Sequence, residues 1–205
     1  MKSKQGGHLK KRRFQMRKIR NFKVNLRERE VIHNLKLITE IKEFTPQLQE
    51  AVRKEMERAK EYLSPASVFD TFEVEESIEK FGLEIEQSLK VSSISIIIAT
   101  VGQDIEKEIE NATNRDEKII SQIINAIGME ALNSTLNFIY KILNEDARKE
   151  ESELLQNEKI SGDMEKEIIK KFDAKRINVY VTENNQVKPV YTAVGLAKWV
   201  PRKKR

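Results

Sequence analysis

The segment Ser93–Thr100 (Ser-Ile-Ser-Ile-Ile-Ile-Ala-Thr) constrains this chain more than any other. Its core, Ile96-Ile97-Ile98-Ala99, is the longest uninterrupted apolar run in the sequence. A run without polar alternation has no face to offer water. It therefore reads as a central strand covered on both sides. It is far too short to span a bilayer, which takes about 20 apolar residues. Val101-Gly102 then turns the chain out of the strand.

The surrounding patterns are mostly helical. Thr45 is a good N-cap, and Pro46 sits where a missing N–H costs nothing. Leu48, Val52, Met56, Ala59 and Leu63 recur at steps of three and four, which predicts one apolar helix face; Ser64-Pro65 ends it. Upstream, Phe22-Lys23-Val24 is a candidate short strand. Asn25 is a candidate cap for a helix carrying Val31, Ile32, Leu35 and Ile38. Residues 66–74 read as a strand from Val68, Phe69, Thr71, Phe72 and Val74. Asp104 is placed to cap a short helix bearing Ile105 and Ile109. The longest helix is expected over residues 116–143, with Ile119, Ile120, Ile123, Ile124, Ile127, Ala131 and Phe138 on its buried side. Gly128 inside it costs about 1 kcal/mol relative to alanine, so another backbone or a ligand is expected to approach closely there. Residues 144–160 are charged and without a strong period. Ser161-Gly162-Asp163 breaks the chain, with Ser161 or Asp163 as a cap, before a helix with Met164, Ile168 and Phe172 inward. Ile177, Val179 and Val181 alternate as a strand, paired with a strand over 187–191 through an Asn184-Asn185 turn; Trp199 and Pro201 end the patterned region.

Charge divides the chain into three parts. Of 38 Lys and Arg, nine fall in residues 1–20 and four in residues 202–205; the remaining 25 face 33 Asp and Glu. The expected organisation is a basic, disordered arm (1–20), a single acidic α+β domain (21–201) and a basic tail (202–205). Met16 is an alternative translation start. The chain has no cysteine, which removes disulfides, thiolate nucleophiles and zinc–sulfur sites. No apolar signal segment opens it. A cytoplasmic protein with no membrane partner is the expectation.

Catalytic signatures are missing. None of the glycines forms a G-x-G-x-x-G or P-loop, and there is no G-x-S-x-G or H-E-x-x-H. The two histidines, His8 and His33, cannot build a His-rich metal site. Glu-rich runs at 73–79 and 106–110 read as solvated helix faces.

Three segments in order resemble one family. They are residues 96–109, opening Ile96-Ile97-Ile98-Ala99-Thr100-Val101-Gly102; residues 119–132, centred on Asn125-Ala126-Ile127-Gly128; and residues 163–195, with Asp163-Met164-Glu165-Lys166, Val181-Thr182-Glu183 and Lys188-Pro189 to Gly195. Their order and spacing resemble the activation domain of cobalamin-dependent methionine synthase in its short stand-alone form. The resemblance implies an α+β fold, a mostly antiparallel twisted sheet flanked by helices. It also implies binding of S-adenosylmethionine (AdoMet) and reductive methylation of cob(II)alamin carried by a separate cobalamin-binding methionine synthase polypeptide. A flavodoxin-like protein would supply the electron. Such a chain is an accessory methyl-transfer domain rather than a complete enzyme, which agrees with the missing acid, base and nucleophile.

The cofactor-binding residues implied by the resemblance are Ser161, Gly162, Asp163, Thr182, Glu183, Thr192, Gly195 and Asn133. The match has departures. Residues 158–163 keep a glycine of the family's R-x-x-P-G-Y-like loop but lack its Arg, Pro and Tyr; Asn125 replaces the Asp of D-A-I-G; Thr192-Ala193-Val194-Gly195 stands for Ser-Val-Ser-Gly. Asn133 falls near where the family's long helix often carries a glutamate. Two alternatives follow: a corrinoid-protein-binding module that no longer binds AdoMet, and a nucleic-acid-associated protein acting through its basic tails. Nucleic acid is the less expected partner, because the body is acidic.

Overall fold

The computed structural model describes residues 16–41, 43–85, 90–155 and 157–202. Ser93–Thr100 (β3) is central to an antiparallel sheet. It pairs along its whole length with Ala66–Glu73 (β2) on one side and with Thr192–Pro201 (β8) on the other. Arg17–Arg20 (β1) adds an edge beyond β2. Ser152–Leu154 (β4) and Glu158–Ile160 (β5) share the far side of β8. A small hairpin of Tyr180–Val181 (β6) and Val187–Lys188 (β7) stands apart.

Helices cover both faces. Glu28–Ile38 (α1), Pro46–Tyr62 (α2), Asp104–Asn114 (α4) and Lys118–Lys149 (α5) pack with Phe69, Ile97, Ala193 and Ala197. Val74–Phe81 (α3), Asp163–Lys171 (α6), the 3-10 turn Ala174–Ile177 and Val179 pack with Val68, Ile94, Ile96, Ile98, Val194 and Leu196. Alternate residues of β3 thus enter opposite layers, and Ile94, Ile96, Ile97, Ile98 and Ala99 are all fully buried. This is the expected α+β arrangement, an antiparallel sheet flanked by helices. Among the described residues no helix is long and apolar enough to cross a membrane, and no group of side chains is arranged to hold a metal ion.

Local signals explain several boundaries. Thr45 Oγ1 accepts the Leu48 N–H at 3.2 Å, closing the first turn of α2. Gly82, at φ 69, ends α3 in the left-handed region. Asn185, at φ 58, turns the β6–β7 hairpin.

Other boundaries differ from expectation. Residues 17–20 are not part of an arm. Arg17 spreads its guanidinium 4.5 Å from the Phe69 ring centre and pairs with Asp146 at 2.7 Å, so this basic stretch has partners that hold it to the sheet as β1. Residues 1–15 and 203–205, the rest of the expected arm and most of the tail, lie outside the described residues. Phe22-Lys23-Val24 is not a strand, because Asn21 (φ 54) leads the chain away from the sheet. Arg27, not Asn25, is the N-cap of α1, and its carbonyl accepts the N–H groups of Glu30 and Val31. Residues 144–160 continue α5 and then form β4 and β5, whose partner is the remote β8. Ile177 closes the 3-10 turn, so the hairpin strand begins only at Tyr180. Gly162, at φ 74, occupies the N-cap of α6, and neither Ser161 nor Asp163 does. Ile119, Phe138 and Met164 lie at the margins of their buried faces, each more than a third exposed.

Candidate functional site

A cleft of about 700 Å³ opens where three elements meet. The first wall is the irregular segment after β1, with Lys23, Val24, Asn25 and Arg27. The second is one face of α5, where Ser134, Asn137, Phe138, Lys141 and Asn144 recur at helical spacing beside Tyr140. The third is the connection from β4 to β5, with Leu154, Leu155 and Asn157. The Leu155 N–H bonds the Lys198 carbonyl at 2.9 Å, tying that connection to β8. Phe138 stacks on Phe22 with ring centres 4.6 Å apart, so the first wall is fastened to the second by an aromatic pair.

Glu130 anchors the same junction. Its side chain is 1% exposed, on the buried face of α5. It accepts the Arg27 Nε–H at 2.8 Å and the Nη2–H at 3.2 Å. Ser134 Oγ lies 3.0 Å from both Glu130 Oε1 and the Asn25 carbonyl, and its single proton serves one of them. A buried carboxylate without a partner is strongly destabilising, and here the partner is a fork-shaped bidentate one. The carboxylate also raises the Arg27 guanidinium further above its ordinary value, chiefly by hydrogen bonding. Arg27 keeps 51% of its side chain exposed, and its Nη1 lies only loosely near Glu30, at 4.0 Å. It thus joins the protein interior to the cleft.

Tyr140 borders the cleft near the sheet. Its hydroxyl donates to the Glu158 carbonyl over a long 3.5 Å, and burial pushes its pKa up to about 12. The ring lies across β8 at Gly195. A Cβ there would come within 3.2 Å of Tyr140 Cζ and 3.4 Å of Leu136 Cδ2, and closer still to the hydroxyl. Glycine in a strand interior often marks such a close approach.

The site residues drawn from the resemblance are distributed more widely. β5 pairs with β8 in register Ile160↔Val194, which brings Ser161, Gly162 and Asp163 alongside the start of β8, where Thr192 lies. Asp163 is tied up in an exposed ion pair with Lys166 at 2.9 Å. Thr192 is buried, and its Oγ1 makes no hydrogen bond among the described residues. Gly195 is next to the cleft only through Tyr140. Thr182 caps its own hairpin, accepting the Gln186 N–H at 3.1 Å, and Glu183 is exposed in the same turn. Asn133 is exposed on α5, on the opposite side of the sheet from α6 and the hairpin. None of these residues lines the cleft, although Asn133 adjoins Ser134, which does.

The lining residues escaped a sequence reading because they come from three distant segments. One signal was readable. Glu130, between Ile127 and Ala131, is the one charged residue on the buried face of α5. A carboxylate in that place requires a cation from elsewhere in the chain.

No family model matches this sequence, and no curated protein matches it. Among solved structures, the chain is similar to the MetH reactivation domain in a crystal structure with AdoHcy bound. The two are 10% identical, with a TM-score of 0.56, over 94% of this chain and 81% of that one. At that identity the likeness is one of fold, and it extends over nearly the whole chain.

Proposed function

We propose that this chain is a reactivation module for a cobalamin-dependent methionine synthase, binding AdoMet in the cleft between residues 23–27, α5 and the β4–β5 connection. The observation that carries this reading is the fold likeness over 94% of the chain to a reactivation domain whose structure contains AdoHcy. The cleft suits a nucleoside-sized ligand. Its volume of about 700 Å³ falls within the usual range for small-molecule sites. Phe138, Val24 and Leu155 offer apolar surface, and the amides of Asn25, Asn137, Asn144 and Asn157 offer convergent polar groups. When bound, AdoMet would supply an activated methyl group, its sulfonium–methyl bond breaking to leave AdoHcy, and with one electron from a flavodoxin-like donor cob(II)alamin on the partner polypeptide would become methylcobalamin. The chain's own task is then to bind and orient, and proximity of this kind is worth about 7–11 kcal/mol in well-aligned systems. Calorimetry with AdoMet and AdoHcy, with and without the cobalamin-binding polypeptide, tests the reading. No heat in any combination would sink it.

One observation favours a second reading, a module that binds a corrinoid protein without AdoMet. Residues 158–160 are hydrogen-bonded into the sheet as β5 rather than free to wrap a ligand, and residues 158–163 contain no arginine. Complex formation with the cobalamin-binding polypeptide, without measurable AdoMet affinity, would select it.

A further inference from the structure

We infer that Arg27 is the carboxylate anchor of the cleft and that Glu130 holds it in position for that role. The inference rests on the cleft being a nucleoside amino-acid site, as proposed above. A ligand such as AdoHcy ends in an amino acid, and its carboxylate calls for a charged fork. Residues 158–163 contain no arginine to provide one. Arg27 lines the cleft instead, from a segment remote in sequence.

The geometry leaves Arg27 able to serve two carboxylates. A guanidinium carries five N–H groups. Glu130 takes one from Nε and one from Nη2, the side edge of the fork. Both protons of Nη1 and one of Nη2 remain; one from each nitrogen forms the end edge, and among the described residues Nη1 has Glu30 near it at 4.0 Å. A ligand carboxylate can therefore bind end-on while Glu130 stays bound side-on. The near-complete burial of Glu130 and the half exposure of Arg27 set the direction of the arrangement: the inner carboxylate locks the guanidinium and the outer edge faces solvent. Among the described residues Lys23 and Lys141 also line the cleft and no Asp or Glu does, so beside the Arg27–Glu130 pair the lining adds two cations.

The test compares two ligands of the full chain by calorimetry: AdoHcy, and 5′-methylthioadenosine, the same adenosine thioether without the amino-acid end. In Arg27→Lys a cation remains to pair with Glu130, but the fork is lost. AdoHcy affinity is expected to fall about 10- to 100-fold, with 5′-methylthioadenosine affinity unchanged within about twofold. Arg27→Met combined with Glu130→Gln removes the buried charge along with the fork and should give the same pattern; circular dichroism confirms folding. Equal losses for both ligands, or no loss for AdoHcy, would overturn the anchor assignment while leaving the cleft as a nucleoside site. Absence of binding by the unaltered chain to either ligand would overturn both.

Discussion

Gly128 sits inside α5 without being a hinge or a cap. A Cβ at that position would meet Tyr191 Cε1 at 2.5 Å and Ile105 Cδ1 at 2.7 Å. The Tyr191 ring cannot easily yield, because its hydroxyl donates to Asn125 Oδ1 at 2.7 Å and the ring is buried. The close approach expected from the sequence is therefore that of a side chain, neither backbone nor ligand. Gly128→Ala gains about 1 kcal/mol of helix propensity and loses about 1–3 kcal/mol to overpacking. A net loss of stability in urea melts is expected, and relief when Tyr191→Leu is added. Asp70 offers a pH-dependent counterpart. Burial raises its pKa above the ordinary aspartate value, outweighing the Thr71 N–H it accepts at 2.8 Å. A raised carboxylate pKa leaves stability intact below the unfolded value of about 3.9 and lowers it as pH climbs through the folded value. Asp70→Asn keeps the acceptor oxygen. It should raise the melting temperature at pH 7 and have little effect near pH 3; equal shifts at both would refute this account.

β8 shows how an element can hide from local reading. Its residues Thr192–Pro201 include Gly195, Lys198 and a terminal Pro201, none of which favours a strand. Yet it is the second most central strand, bonded to β3 along one side and to β4 and β5 along the other. What holds it is tertiary: Trp199 Nε1 donates to Ser95 Oγ at 2.7 Å, Ser95 Oγ is 2.7 Å from Thr71 Oγ1, and all three residues are buried across three strands. Ser95→Ala takes a partner from both neighbours and should cost about 1–3 kcal/mol, read as earlier unfolding of Trp199 fluorescence in denaturant. Gly195→Ala is expected to do more than destabilise. Tyr140 would have to leave its place over β8, and Tyr140 lines the cleft. Loss of AdoHcy binding beyond any loss of stability, measured at a temperature where the variant is fully folded, is the expected result; a folded variant with unchanged binding would separate Tyr140 from the site.

Across the molecule, charge is distributed unevenly. The body between the basic ends is acidic, but among the described residues the lining of the cleft contains Lys23, Arg27 and Lys141 and no carboxylate. AdoMet carries a sulfonium charge that AdoHcy lacks. At an effective dielectric near 20 the repulsion between like charges is about 4 kcal/mol at about 4 Å and falls inversely with distance, before salt screening. AdoHcy is accordingly expected to bind about tenfold more tightly than AdoMet at low salt, with the gap narrowing as salt is raised. Titrations of both ligands at two ionic strengths check this; tighter binding of AdoMet at low salt would show that carboxylates outside this lining govern the site. Arg17–Arg20 adds a qualification to any role for the basic arm in binding nucleic acid. Arg17 is already paired with Asp146 within the fold, and β1 is part of the sheet.

Periodicity and capping chemistry were sufficient for β2, β3 and α2, and periodicity located the body of α5 but not residues 144–149, because a burial pattern is readable where it recurs in consecutive residues. The ordered motifs also pointed to the α+β class and to the family whose fold the chain shares. The short strands β4 and β5, the position of β8 and the cleft were decided only in three dimensions. β4 and β5 pair with the edge of β8 that β3 leaves open, and two helical layers cover the sheet around β3. Arg27 and Glu130 meet from positions 103 residues apart. A hydrogen bond over that separation leaves no local trace except an acid on an apolar helix face, and which cation answers it is settled by packing.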